Sequence, residues 1–194
     1  MVSETEEQSA LREAAHDAAS QILGPTARED DEEERFSKDL FRELGANGLC
    51  GVPTSEELGG LGLGYLEYAM VIEEIARVSA SYAVCVAVNG LPQVILSQYG
   101  TPEQQAQYVP ALAAGEALGA FALSEPGSGS DAASLTTTAV RDGDDYVLNG
   151  TKFWITHGSY ADTYIVMART GGPGAKGISA FIVEGDTPGL SFGK

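Results

Sequence analysis

The stretch Thr101-Pro-Glu-Gln-Gln-Ala-Gln-Tyr-Val-Pro-Ala-Leu-Ala-Ala-Gly-Glu-Ala-Leu-Gly-Ala-Phe-Ala-Leu123 is where the chain changes character. Its front half begins with Thr101 as an N-cap and Pro102 at the first helical position, where a missing N–H costs nothing, and this predicts a helix reaching about Ala114. Gly115 closes it. Beyond it the vocabulary turns to β-branched and aromatic residues, so the whole chain reads as α+β: an N-terminal all-α helical domain over residues 1–116, then an antiparallel β domain over residues 117–194.

Upstream, Leu11, Ala14, Ala15, Ala18, Ala19 and Ile22 follow the spacing of one helical face and predict an amphipathic helix from Glu4 to Leu23, stopped by Gly24-Pro25. Six consecutive acids, Glu29 to Glu34, repel one another and read as a solvated loop or the exposed start of a helix. Phe36, Leu40, Phe41 and Leu44 mark a second helix that ends in the Gly45 to Gly51 region. Leu58 to Gly64 is a glycine-rich turn, but Tyr65 stands where a dinucleotide-binding GxGxxG would need its third glycine, and no strand precedes it. Leu66 to Val88 predicts one buried helix or two, with Pro92 inside or at the start of the next. Downstream, strands are expected at Thr136 to Val140, Tyr146 to Leu148, Thr151 to Thr156, Thr163 to Ala168 and Gly177 to Val183. Asn149-Gly150 between two of these predicts a hairpin turn, a reading preferred to the glycosylation sequon that Asn149-Gly150-Thr151 also spells.

Composition narrows the function classes. The 194 residues are 43% apolar, enough for a real core, and 28 acids against 11 bases give a net charge of −17, which repels nucleic acid and anionic membrane surfaces. No apolar run is expected to approach the roughly 20 residues of a spanning helix, and the start from Met1 to Ser9 is polar and acidic, unlike a signal peptide. The expectation is a cytoplasmic protein with no membrane span. Cys50 and Cys85 lie in apolar stretches and read as buried thiols, while His16 and His157 without HExxH or CxxC give a transition metal little to bind.

Two segments carry candidate chemistry. Phe121-Ala-Leu-Ser-Glu-Pro-Gly-Ser-Gly-Ser-Asp131 is a turn whose glycines let the main chain approach a phosphate or a heteroaromatic ring, with an ordinary Ser-Gly surface turn as the alternative. In Lys152-Phe-Trp-Ile-Thr156, read as a strand, Trp154 and Thr156 share a face, which suits a planar cofactor and equally suits a half-buried β core. His157 is expected to be structural or solvent-facing. Glu125 could serve as a general base, but a carboxylate capping the neighbouring Gly-Ser turn is the preferred reading.

Three segments in order resemble the acyl-CoA dehydrogenase family: Glu56-Glu-Leu-Gly-Gly-Leu-Gly-Leu63 with Glu73-Glu-Ile-Ala-Arg77, then Phe121 to Asp131, then Tyr146-Val-Leu-Asn-Gly-Thr-Lys-Phe-Trp-Ile-Thr156. The resemblance implies FAD lying where a helical and a β domain meet. By position, Phe121, Ala122, Leu123, Ser124, Gly129 and Ser130 belong to the family's flavin loop, with Leu123 and Ser124 bonding the pyrimidine side of the ring. Ser130 matches the position that also touches acyl-CoA. Trp154, Ile155 and Thr156 resemble the second flavin segment, whose threonine hydroxyl bonds near N5. Ser124 replaces the family's frequent threonine and keeps the hydroxyl.

The implied function is oxidation of an acyl-CoA thioester in fatty acid or lipid metabolism, with electrons passed to an electron-transfer flavoprotein or similar acceptor by a homo- or hetero-oligomer. Acyl-CoA oxidases and flavin monooxygenases are chemical variants on the fold. Family members run to about twice this length and end in a helical bundle that supplies the catalytic base. The expectation is therefore a front portion with an incomplete β domain, no base of its own and no turnover alone, the alternative being a non-catalytic partner subunit or acyl-CoA/flavin-binding module.

Overall fold

A computed structural model describes residues 4–193, which cluster into two compact units, one ending at Ala117 and the other starting at Leu118. The first is helical: α1 (Glu6–Ile22), α2 (Ala27–Glu32), α3 (Lys38–Ala46), α4 (Tyr65–Val78), α5 (Ala80–Tyr99) and α6 (Pro102–Ala113). Thr5 and Thr101 cap α1 and α6 with full capping boxes, Gln8 and Gln104 returning the bond, so each satisfies two amides that the helix leaves over. Ser37 caps α3, and Ser79 both ends α4 and caps α5, which divides the expected Leu66 to Val88 segment in two. Four of the six consecutive acids fall in α2; Arg35 pairs with Glu29 and Asp30 there and with Glu33 just past its end, and Arg28 pairs with Glu32.

Leu23, Phe41, Leu44, Val71, Ile75, Val86 and Leu112 form the fully buried centre. Between α1 and α4 the buried carboxylate of Glu74 accepts from Arg12 Nη1 at 2.8 Å and from Arg77 Nη1 at 3.0 Å. Burial pushes that carboxyl up, but the two guanidinium groups outweigh it and hold it below the ordinary range.

Pro92 lies inside α5, one of the two places the sequence allows it, and the 20-residue helix runs unbroken past Val88; by length and composition it is apolar enough to cross a membrane, which corrects the expectation that no run approaches such a span. Its interior polar residues show how it is used here. Asn89 Nδ2 donates to the Leu112 carbonyl at 2.8 Å, Gln93 Nε2 to the Cys50 carbonyl at 3.0 Å, and Thr54 Oγ1 to Gln93 Oε1 at 2.6 Å, all buried. Tyr68 OH donates to the Val86 carbonyl at 3.0 Å beside Gly90. The helix is thereby tied to its neighbours through the stretch where proline removes a backbone donor.

The second unit is a five-stranded sheet: β1 (Gly119–Ala122), β2 (Thr138–Asp142), β3 (Asp145–Asn149), β4 (Thr163–Arg169) and β5 (Ile178–Glu184). β4 is central, with Thr163, Tyr164, Ile165 and Ala168 buried. β5 runs antiparallel to it from Thr163↔Glu184 to Arg169↔Ile178, whereas β1 runs parallel from Gly119↔Thr163 to Ala122↔Val166, and β2 meets it parallel at Thr138↔Arg169. The sheet is mixed rather than antiparallel because the chain between β1 and β4 is long enough for a crossover connection, which a hairpin-based reading leaves out.

Two further expectations fail together. Residues 151–156 form no strand, and Asn149-Gly150 is no hairpin turn. The hairpin in this region joins β2 to β3 through Gly143-Asp144, closed by Asp142↔Asp145, with Gly143 at φ 63° in the first central position. Gly150 answers a different need: a Cβ there would lie 2.7 Å from Thr137 Cα.

Candidate functional site

Ala122 ends β1 with its side chain buried, and Phe121 beside it is half-buried. The chain then turns, Glu125 N donating to Ser128 O at 2.9 Å and Ser128 N returning to Glu125 O at 3.0 Å. This points Glu125 inward. Its Oε2 accepts from Thr136 N and Thr136 Oγ1, both at 2.7 Å, and its Oε1 from Thr137 N at 2.9 Å and Lys152 Nζ at 2.8 Å. Burial raises the carboxyl, but Lys152 and the threonine donors together outweigh it and hold it far below the ordinary range. A carboxylate so saturated cannot take a substrate proton near neutral pH, so Glu125 is structural, as expected, although it holds the Thr136-Thr137 backbone rather than capping the Gly-Ser turn.

The rest of the loop is open. Gly127, Gly129 and Ser130 are exposed, and a Cβ added to either glycine would meet nothing within 4 Å, so no packing need inside the unit selects glycine there. Ser128 Oγ and Ser134 Oγ both donate to the Asp131 carbonyl, at 2.9 and 2.8 Å. Arg169 anchors the stretch just beyond this loop and the turn after β4: its guanidinium donates to the Leu135, Ala133, Gly172 and Gly174 carbonyls.

The second segment, residues 152–158, lies against the first. Lys152 Nζ donates to the Leu123 carbonyl at 3.0 Å and Phe153 N to the Ser124 carbonyl at 2.8 Å. Trp154 then takes φ 57° and His157 φ 63°, left-handed values that non-glycine residues seldom adopt. The expected strand alternation of Trp154 and Thr156 therefore does not apply. Trp154 instead projects its ring outward, 87% exposed, edge-on to Phe153 at 5.0 Å between centroids, while Ile155 and Thr156 are half-buried. The far end is fastened by His157, buried, whose Nδ1 lies 2.9 Å from the Gly119 carbonyl and so carries the proton, and by Tyr164 OH, which donates to the Gly158 carbonyl at 3.0 Å.

The fold thus joins Leu123, Ser124 and Glu125 to residues 152 and 153 and leaves Gly129 and Ser130 farther along the exposed loop. The result is an exposed flat ring one residue on from the backbone bond that joins the two segments. Sequence reasoning passes over Lys152 and Arg169; a lone lysine between Thr151 and Phe153 is the available signal. The Leu58 to Gly64 loop offers no phosphate cradle, because the amides of Gly60, Leu61, Gly62 and Leu63 are used on the carbonyls of Ser55, Gly51, Thr54 and Val52.

Comparison with known proteins decides the family. Residues 5–116 match the model for the acyl-CoA dehydrogenase N-terminal domain, and residues 120–194 that for the acyl-CoA dehydrogenase middle domain. The chain belongs to the acyl-CoA dehydrogenase family. It is 42% identical over 191 residues to the mitochondrial isobutyryl-CoA dehydrogenase of Dictyostelium discoideum, covering 98% of this chain and 46% of that one. Among solved structures, it superposes with a TM-score of 0.93 and 39% identity on a chain from the electron transferring flavoprotein structure of Acidaminococcus fermentans, covering 100% of this chain and 52% of that one. The FAD complex of PigA aligns at a TM-score of 0.92 and 30% identity, covering 97% and 50%. This acyl-CoA dehydrogenase family chain spans about half the length of the curated relatives it matches.

Proposed function

We propose that this chain is the front portion of an FAD-dependent acyl-CoA dehydrogenase that desaturates an acyl-CoA thioester between its α and β carbons. The observation that carries the reading is the joining of the two candidate segments inside the β unit, with the Trp154 ring turned outward. Similarity to the FAD complex of PigA supports the choice of cofactor. The residues present fit it: an exposed indole can lie against an isoalloxazine ring, the Thr156 hydroxyl and the main chain at Leu123 and Ser124 can bond its polar edge, and the glycines of the 127–130 loop leave room for close approach. When bound, the flavin supplies a two-electron acceptor for the hydrogen leaving the β carbon.

The chain's own share is placement. Phe121 and Ala122 deliver the first segment from β1. Trp154, Ile155 and Thr156 set the flavin plane, and Ser130, exposed beside Gly129, is offered to the acyl-CoA. An electron-transfer flavoprotein or similar acceptor takes the electrons onward, a reading supported by the likeness to the Acidaminococcus fermentans chain. The α-proton needs a carboxylate base, and Glu125, with four donors already on it, is not that base.

A dye-linked assay with short, branched and long acyl-CoAs tests the reading. This polypeptide alone should bind FAD and acyl-CoA without steady turnover, since loss of a general base commonly costs about 10²–10⁴-fold. Steady FAD-dependent dye reduction by the pure chain would overturn the assignment of the base elsewhere, and binding of neither ligand would overturn the function itself.

A further inference from the structure

Lys152 is nearly enclosed, with 11% of its side chain exposed against 4% for Glu125. We propose that Lys152 is a positioning residue for the flavin, an inference that rests on the FAD reading above: paired with Glu125, its ammonium fixes the peptide between Leu123 and Ser124 and holds the left-handed turn at Trp154 in the shape the ring meets. The geometry is direct. In a trans peptide the C=O and the following N–H point in opposite directions, so once the Leu123 carbonyl is turned onto Lys152 Nζ at 3.0 Å, the Ser124 N–H faces away from the lysine.

The next residue of the second segment continues the clasp, Phe153 N donating to the Ser124 carbonyl at 2.8 Å, and Trp154 comes directly after it with φ 57°. Such a conformation persists only where neighbours over-determine it. Here the restraint comes from both ends: Lys152 on Leu123 and Glu125 before it, His157 on Gly119 after it. Glu125 in turn is fastened to Thr136 and Thr137, so the ammonium is anchored to a rigid part of the unit rather than to a mobile partner. A flavin edge that bonds Ser124 and stacks near Trp154 would meet groups already oriented before binding.

The test compares the unaltered chain with Lys152→Met and Lys152→Arg, first without FAD. Near-ultraviolet circular dichroism reads the fixed setting of Trp154, and amide exchange by NMR reads the Phe153 bond. Lys152→Met should flatten the tryptophan band and speed Phe153 exchange about tenfold or more, with far-ultraviolet circular dichroism unchanged, and Lys152→Arg should restore most of both. With FAD added, Lys152→Met should bind about tenfold more weakly. A folded Lys152→Met with the tryptophan band and Phe153 protection of the unaltered chain overturns the proposal, as does a changed band with undiminished FAD affinity. If the two signals change but the unaltered chain binds no FAD, the flavin reading has failed and the positioning role falls with it. Should Lys152→Met not fold, Lys152→Gln serves in its place, and fast Phe153 exchange in the unaltered protein overturns the proposal without any variant.

Discussion

Glu125→Gln isolates the charge at the hub of the β unit with almost no change in volume. The carboxylate accepts four hydrogen bonds, two on each oxygen, at 2.7 to 2.9 Å, from Thr136 N and Oγ1 on one side and from Thr137 N and Lys152 Nζ on the other. A glutamine amide has one accepting oxygen. Whichever way it turns, its NH₂ group confronts either the Thr136 donors or Thr137 N and the lysine, and the buried ammonium loses its counter-charge. Removing one partner of a buried pair costs about 3–5 kcal/mol, and with half of the acceptors retained we expect about 2–4 kcal/mol at pH 7, read from urea denaturation. The pH dependence has a definite sign. The folded carboxyl is held below its unfolded value, so its contribution is complete above the unfolded pKa of about 4.3 and is lost as pH falls through the lower folded value. At pH 3 the unfolded chain is already largely protonated at this site, and the gap between the two proteins should narrow by more than about 1 kcal/mol. A gap under about 0.5 kcal/mol at pH 7, or one that is the same at pH 7 and pH 3, would refute the reasoning.

Two glycines near the β2–β3 hairpin should respond for different reasons. Gly143→Ala strains only a backbone at φ 63° with open space around it and should cost about 1–2 kcal/mol, whereas Gly150→Ala drives a Cβ to 2.7 Å from Thr137 Cα and should cost about 1–3 kcal/mol with shifted Thr137 resonances. Burial pushes the Cys50 thiol up to about 12, the neighbouring Cys85 adding to it, and the Cys85 thiol up to about 11. Cys50 is buried as expected, but Cys85 is only half-buried; at pH 8 a thiol reagent should modify Cys50 about a hundredfold or more slowly in the folded protein than in urea, with Cys85 slowed less, and rapid labelling of native Cys50 would contradict its burial.

What the sequence disclosed and what it hid divide along the range of the interactions involved. Caps are local, so Thr101-Pro102 announces α6, and the apolar spacing from Leu11 to Ile22 announces α1. The turn from helical to strand vocabulary near Ala117 is likewise local. The 151–156 segment misleads because its residues have strand preferences while its conformation is set by distant partners: Leu123, Ser124 and Glu125 hold one end and Gly119 the other, an arrangement no window of neighbouring residues encodes. Asn149-Gly150 misleads in a related way, since close approach to Thr137, rather than a turn, calls for that glycine. Sequence leaves Pro92 either inside a helix or at its start, and the choice is made at long range, where Asn89, Gln93 and Tyr68 tie that stretch of α5 to other elements. For the proposed site, the candidate residues come from the resemblance, whereas the group that joins their two segments, Lys152, emerges only from the fold.

We propose that Ser124, Trp154 and Thr156, on the two joined segments, receive a flavin. Trp154 is the only tryptophan of the chain and is exposed, so its emission reports on that site alone. Titration of the folded protein with FAD should quench Trp154 emission in a saturable way, and Thr156→Ala should weaken the binding by about 0.5–1.5 kcal/mol, the worth of one hydrogen bond. Unchanged Trp154 emission at saturating FAD, in a sample with native circular dichroism and after correction for absorption by the flavin, would contradict it.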